Sequence, residues 1–190
     1  MLKLIVRVGL VIAVVVVVVT VFHSYHGKNC QIVGMGVADA DEDCLHQDAI
    51  STGWAESQQR LLAMSWAPVT TGLLFTEANG ENPTTLDSGE SGEEFQLALQ
   101  YLQSYPAADV GGKPQGQQAA GHAESKAAAL MRRDGDTYGV LVINNLDGPC
   151  RYVSGIGCAA AMRLILPKVS TLVVWWPGGK SKEYEGTARP

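Results

Sequence analysis

Two strand-length runs without a charged residue restrict most strongly which folds this chain can adopt. They are YGVLVIN at Tyr138–Asn144 and TLVVWW at Thr171–Trp176. Such continuous apolar runs are typical of strands that are buried on both faces of a sheet. The segment between them, CAAAMRLIL at Cys158–Leu166, has the composition of a helix and ends at Pro167. Helices that alternate with buried strands predict an α/β domain.

Two more elements are predicted upstream of these runs. Thr71–Gly89 predicts a hairpin, because two apolar runs flank an Asn79-Gly80 turn signal. Ser91–Tyr105 places apolar residues at helical spacing behind an acidic first turn, and Pro106 ends this helix. The Gly-, Gln- and Pro-rich stretch that follows predicts a loop that leads to His122.

The remaining elements complete the order of the domain. An alanine-rich helix follows His122, and Ser181–Thr187 predicts a short exposed strand after the second buried run. The order hairpin, helix, helix, strand, helix, strand, strand predicts a mixed sheet of about five strands with helices packed on it. One of the neighbouring tryptophans, Trp175 or Trp176, is expected in the core because an apolar strand carries both.

The N-terminus contains an apolar segment with the properties of a membrane anchor or a signal peptide. No charged residue occurs between Val8 and Phe22, and Lys3 and Arg7 precede that run. A single-pass anchor is favoured over a cleaved signal, because the next small-x-small site, Ala38-Asp39-Ala40, lies sixteen residues beyond the run. On either interpretation the basic flank stays inside and the remainder is exported.

Composition divides the chain into a membrane segment (1–27), a polar stalk (28–68) and a globular domain (69–190). The stalk carries a predicted short helix around Trp54–Met64. It also carries Cys30 and Cys44, for which a disulfide is the default in an exported chain.

The formal net charge of −5 conceals an asymmetry along the chain. Residues 1–112 hold four Lys and Arg against thirteen Asp and Glu, whereas residues 113–190 hold ten against six. The positive balance of the second part permits a polyanionic substrate such as a nucleic acid. It is modest beside that of dedicated DNA-binding domains, so charge alone does not identify the substrate.

His122, Cys150 and Cys158 are three candidate ligands of a zinc ion. The other histidines lie upstream of the domain, so no fourth ligand is evident within it. A structural zinc site normally has four protein ligands, whereas a catalytic site leaves one position to water. Three ligands therefore predict a catalytic site. A Cys150–Cys158 disulfide in a surface adhesion domain is the alternative for an exported chain.

Glu124 follows His122 by two residues at the head of the predicted helix. A carboxylate there can simply complement the unpaired N–H groups and the positive end of the helix dipole. Beside a metal, the same carboxylate would lie near the water on that metal and would move protons. The two thiols make the second interpretation the stronger one, and they make Glu124 the candidate catalytic residue.

The order H-x-E, then P-C and a further Cys, is the signature of zinc-dependent nucleobase deaminases. It occurs here as GHAESKAAALMRR, GPC and GIGC, with seven residues between the cysteines instead of two. The chain resembles one branch of that superfamily, the bacterial polymorphic-toxin deaminases that include the double-stranded-DNA cytosine deaminase toxin. The matching features extend from Val69 to Thr187 and include the hairpin, VINN, LILPKVSTLVVWWPGG and KEYEGT.

The resemblance implies a cytidine deaminase-like three-layer α/β fold with helices on both faces of the sheet. It also implies one zinc ion on His122, Cys150 and Cys158, which makes a water nucleophilic for attack on C4 of cytosine. Glu124 would carry protons from that water to N3 and to the departing amine. By analogy, the backbone N–H of Ala123 is a candidate to hold the carbonyl of the base.

Two further residues are candidates for substrate binding. Asn144 ends a strand beside the site, where it either binds the substrate or caps the loop. Tyr152 lies in the loop between the cysteines, where its ring could stack on a base.

We therefore expect hydrolytic deamination of cytosine to uracil in DNA, by an exported interbacterial toxin that acts in the cytoplasm of a target cell. An immunity protein is the expected protein partner, and the N-terminal segment is the expected contact with a membrane. Two alternatives remain at this point. One is a deaminase that acts on RNA or on free nucleosides, and the other is a non-catalytic, zinc-stabilised binding module.

Overall fold

The computed structural model of the protein describes the residues 45, 51–63, 69–79, 82–106, 113–150 and 156–189. The predicted membrane segment, the cysteines Cys30 and Cys44 and the candidate Tyr152 lie outside the described residues. Within the described ranges, none of the helices combines the length and the apolar character that a bilayer span requires.

The helices and strands of the described residues follow the order that the sequence predicts, with one addition. They are α1 (Thr52–Ala63), β1 (Thr71–Thr76), β2 (Thr84–Asp87), α2 (Glu93–Gln103), α3 (Lys113–Ala120), α4 (Ala123–Asp134), β3 (Tyr138–Ile143), α5 (Cys158–Ile165), β4 (Thr171–Trp176) and β5 (Lys180–Glu185).

The strands form one mixed five-stranded sheet with the order β2-β1-β3-β4-β5. β3 and β4 are parallel and are joined through α5, whereas the other neighbouring pairs are antiparallel. The turn of the β1–β2 hairpin is held by Asn79, whose Oδ1 accepts the N–H of Thr76 at 2.8 Å and whose Nδ2 donates to the carbonyl of Leu74 at 2.9 Å. The predicted mixed sheet is thus confirmed.

Helices cover both faces of this sheet. Leu74, Leu141 and Val174 belong to the core that includes residues of α2, α4 and α5. Phe75 points to the opposite face, because side chains alternate along a strand, and its ring lies 5.0 Å from that of Trp54 on α1. The architecture therefore has three layers, with α1 alone on one face among the described helices that contact the sheet.

A close approach of α4 to β3 sets the position of the functional residues. A Cβ on Gly139 of β3 would lie 2.7 Å from the sulfur of Met131 on α4, so a larger residue there would force the Met131 side chain to shift. Residues Ala123–Met131 of α4 are all buried. The N-terminus of α4 then lies beside the loop that follows β3.

The segment predicted as a loop before His122 contains the helix α3, which is the addition to the predicted order. Its polar composition hides the helix, because no large apolar residue marks a periodic face. Within residues 116–120 of this helix, the buried residues are the small ones, Gly116, Ala119 and Ala120, which share one face at helical spacing. Small side chains let α3 pack closely on its neighbours α2 and α5.

The structure assigns α1 to the folded domain and not to a stalk. Trp54, Ala55 and Leu62 of α1 are buried, and the helix contacts β1 and β3. The boundary expected at residue 69 is therefore too late, because these apolar side chains need the sheet to be covered from water. Ser51 caps the N-terminus of α1, since its Oγ accepts the N–H of Trp54 at 3.3 Å.

Deletion of residues 1–65 is expected to destabilise the domain strongly. Loss of the buried Trp54 and Leu62 side chains alone removes about 3–6 kcal/mol of burial free energy and uncovers Phe75. Deletion of residues 1–40 is the matched control, and it should leave the urea midpoint of unfolding unchanged. Equal midpoints for the two deletions would show that α1 does not contribute to the domain.

Candidate active site

Three potential metal ligands from three different elements meet at one point of the domain. His122 immediately precedes α4, Cys150 ends the loop after β3, and Cys158 is the first residue of α5. Nδ1 of His122 lies 2.9 Å from Sγ of Cys158, and the two sulfurs are 2.7 Å apart. The ligand atoms of the group all lie within 4.8 Å of one another. The structure thus brings together the three residues that the sequence proposed as ligands.

Two of the three candidate ligands lie at the N-termini of helices. His122 has extended backbone angles (φ −81°, ψ 143°) and stands just outside α4. Gly157 likewise has an extended backbone and stands just outside α5, so Cys158 occupies the first helical position. The N–H of Cys158 donates to Sγ of Cys150 at 3.1 Å, and the N–H of Cys150 donates to Sγ of Cys158 at 3.3 Å. These donors stabilise thiolate character in the pair.

A tight turn after β3 places the third ligand. Asn145 closes the turn, because its Nδ2 donates to the carbonyl of Gly148 at 2.8 Å and its Oδ1 accepts the N–H of Asp147 at 3.2 Å. Gly148 has φ +72°, and a Cβ there would lie 2.7 Å from the indole of Trp176. The glycine therefore lets the turn lie flat on this ring, two residues before Cys150. The sequence did not reveal this supporting contact of Trp176.

The donor set fits a metal ion with an affinity for sulfur and nitrogen. Both cysteines are free thiols, and their sulfurs are farther apart than the ~2.05 Å of a disulfide. A tetrahedral zinc site with bonds of about 2.3 Å places two sulfurs about 3.8 Å apart, so these sulfurs would have to spread by about 1 Å. His122 and Cys150 are only half-buried, and no other His, Cys, Asp or Glu of the described residues joins the group. Within the described residues the group thus supplies three ligand atoms, and a tetrahedral ion held there would have its fourth position available to water.

The ionisation of the two thiols shows why a cation suits this site. The hydrogen bond from Cys158 lowers the pKa of Cys150, whereas that hydrogen bond and burial raise the pKa of Cys158. The hydrogen bond with the Cys150 thiolate raises the pKa of His122. Two thiolates this close would repel each other. A divalent cation removes that repulsion.

Glu124 lies beside the ligands but outside the ligand group. It occupies the first turn of α4 and is 2 % exposed. Burial raises its pKa, while the helix N–H groups and His122 oppose that shift. The carboxyl group also interacts with the thiol of Cys158. A buried carboxyl group beside this ligand group is suited to accept and return protons.

The proposed substrate-binding residues have different surroundings. The N–H of Ala123 is directed at Oγ of Ser88, at 3.4 Å. Asn144 extends the pairing of β3 with β1, since its Oδ1 accepts the N–H of Thr71 at 2.9 Å and its own N–H donates to the carbonyl of Thr71 at 3.1 Å. Its amide oxygen is therefore engaged in the sheet, which favours the loop-capping alternative. Ser88 is a candidate that the sequence did not reveal.

One protein-family comparison matches this domain. The model of the family described as SCP1.201-like deaminase matches residues 50–189, from the start of α1 to the end of the described domain. No curated protein matches the chain. The family match covers most of the chain and contains the His122, Cys150 and Cys158 group with Glu124 beside it. The chain therefore belongs to the SCP1.201-like deaminase family.

Proposed function

We propose that this protein is a zinc-dependent hydrolase that converts cytosine to uracil in DNA. The observation that carries the proposal is the one-nitrogen, two-sulfur ligand group with an open position and a buried carboxyl group beside it. Soft thiolate ligands together with an imidazole favour zinc over calcium and magnesium. A purely structural zinc site would normally close with a fourth protein ligand.

The chain's own residues account for the proton transfers of such a reaction. When bound by His122, Cys150 and Cys158, zinc supplies the Lewis acidity that makes water nucleophilic near neutral pH. Glu124 accepts a proton from the attacking water and delivers it to N3 of the ring. Glu124 then moves the second proton to the exocyclic amine, which leaves as ammonia, while the water oxygen remains on C4 as the carbonyl of uracil.

DNA is the proposed substrate because of the resemblance to the polymorphic-toxin branch and the positive balance of residues 113–190. The same resemblance supports a role as an exported interbacterial toxin with a cognate immunity protein. The apolar N-terminal segment supports export, either as a membrane anchor or as a cleaved signal.

Free nucleosides are the second candidate substrate, and one feature of the structure favours them. Glu90, which is exposed, lies one residue from Gly89, whose N–H donates to the carbonyl of Gly121 next to His122. An exposed carboxylate this close to His122 repels a phosphate backbone, whereas it tolerates a neutral nucleoside.

The substrate class is tested by offering the zinc-loaded full chain the same concentration of cytosine in single-stranded DNA, double-stranded DNA, RNA and free cytidine. We expect uracil and ammonia to form fastest with DNA. Conversion of cytidine alone would assign the protein to nucleosides. Absence of ammonia release with every substrate would contradict a deaminase of cytosine.

A further inference from the structure

The loop between β2 and α2 is hydrogen-bonded to the start of α4. The proton transfers described above do not involve this loop. We call residues Ser88–Gly92 the β2–α2 loop. The N–H of Gly89 donates to the carbonyl of Gly121 at 2.7 Å, immediately before the ligand His122. A Cβ on Gly121 would lie 3.3 Å from the carbonyl oxygen of Gly89, so the two backbones are in close contact.

A buried lysine holds both ends of this loop. Lys126 of α4 is 5 % exposed, and its Nζ donates to the carbonyl of Asp87 at 2.8 Å and to that of Ser91 at 3.1 Å. Burial of an ammonium group is costly unless its protons are used in hydrogen bonds. The ammonium group of Lys126 donates to two main-chain carbonyls that flank Ser88–Glu90. These two hydrogen bonds indicate that Lys126 positions the loop.

The side chain that this arrangement presents to the site is Ser88. Its Oγ lies 3.4 Å from the N–H of Ala123, which separates the ligand His122 from the acid Glu124. This is the long end of the hydrogen-bond range. Ser88 is half-buried, and no described residue accepts the proton of its hydroxyl. The hydroxyl therefore has a donor available next to the N–H of Ala123.

We propose that the Ser88 hydroxyl, positioned by Lys126, donates to the C2 carbonyl oxygen of the cytosine ring and thereby selects the base. The inference rests on the proposed function, because it assigns a contact within the same reaction. Ring chemistry supports it: C4, N3 and the C2 carbonyl follow one another around the pyrimidine. If C4 faces the ligand group and N3 faces Glu124, the C2 carbonyl comes next, near Ala123 and Ser88.

A purely structural role for Ser88 makes a different prediction. As a simple acceptor for the Ala123 N–H, the hydroxyl would help to hold the loop, and its loss would weaken turnover of every substrate equally. If the Ser88 hydroxyl donates to the base carbonyl, its loss would lower turnover only of substrates in which that carbonyl is a good acceptor. Sulfur is a weak acceptor, so 2-thiocytosine is the probe that separates the two roles.

The experiment measures kcat/KM of the zinc-loaded full chain on DNA oligonucleotides that contain either cytosine or 2-thiocytosine. Wild type should prefer cytosine, and Ser88→Ala should reduce the ratio of the two values by about fivefold to tenfold. Ser88→Thr, which keeps a hydroxyl, should restore the ratio. Ser181→Ala on β5, an exposed serine of the same size, is the matched control and should leave the ratio unchanged.

Lys126→Met tests the positioning role with a side chain of similar length. It should lower the ratio as Ser88→Ala does, and the double variant should show no further loss, because both changes remove the same contact. Zinc content should stay at the wild-type level in all these variants. If Lys126→Met does not fold, the Ser88 variants alone decide the proposal.

The outcomes separate this inference from the proposed function. Active wild type with an unchanged ratio in Ser88→Ala overturns the Ser88 contact and leaves the deaminase proposal in place. A wild type that is inactive on both oligonucleotides, on RNA and on cytidine overturns both proposals. Loss of zinc in Ser88→Ala would also overturn the inference, because it would assign the serine to the metal site.

Discussion

Replacement of Glu124 by alanine is expected to abolish uracil formation while zinc content and fold are retained. In the proposed reaction this carboxyl group moves protons, and it lies outside the ligand group. General acid–base catalysis is worth about 100- to 10,000-fold, and one carboxyl group here serves each proton transfer, so the loss should lie at or beyond the upper end. The measurement is uracil formation on single- and double-stranded oligonucleotides, together with zinc content and melting temperature.

Glu124→Gln is the matched variant, because it keeps the shape of the side chain and removes the ionisable carboxyl group. It should be as inactive as Glu124→Ala. If Glu124 only complements the dipole of α4, its removal would cost about 0.3–1 kcal/mol of stability and leave the activity untouched. Near wild-type rates in either variant would therefore refute the catalytic role of this residue.

The second large effect is expected at the metal. Cys158→Ala should lower zinc content from about one ion per chain to a level close to that of buffer, because two ligands bind far more weakly than three. Zinc at a hundred times its dissociation constant stabilises the wild-type fold by about 2.7 kcal/mol. That stabilisation should be absent from the variant, because no metal then links the loop after β3 to α5.

Chelator sensitivity is the direct comparison. The melting temperature of wild type should fall when a chelator is added, whereas that of Cys158→Ala should not respond. Ser181→Ala, an exposed residue of β5 outside the ligand group, is the control and should behave as wild type. Full zinc content in Cys158→Ala would reveal another ligand, and a metal-free wild type with a Cys150–Cys158 disulfide would refute the site.

The secondary structure was predictable wherever a single segment carried a strong local signal. The predicted strand Thr171–Trp176 has the same bounds in the structure, and the predicted helix Cys158–Leu166 ends one residue earlier. Trp175 is buried at 4 % exposure, as expected for one of the two tryptophans. Continuous apolar runs and a terminating proline act within a few residues, so the sequence contains their effect directly.

Elements without such a signal could not be placed in this way. The helix α3 has no large apolar residue, and the residues that are buried within 116–120 are glycine and alanine. The helix α1 was predicted, but its place on the sheet was not, because the contact of Trp54 with Phe75 depends on how the sheet is covered. Burial is a property of the whole fold, and a local pattern does not record it.

The sequence by itself determined the chemistry of the site, because residue types and spacing around His122, Cys150 and Cys158 limit which ions and reactions they can serve. Only the tertiary structure decided what surrounds that chemistry. Ser88 and Ala123 are 35 residues apart, and Lys126 and Asp87 are 39 apart. A serine and a lysine carry no motif, so their roles follow from the packing of α4 beside the β2–α2 loop, which brings distant polar groups within hydrogen-bond distance.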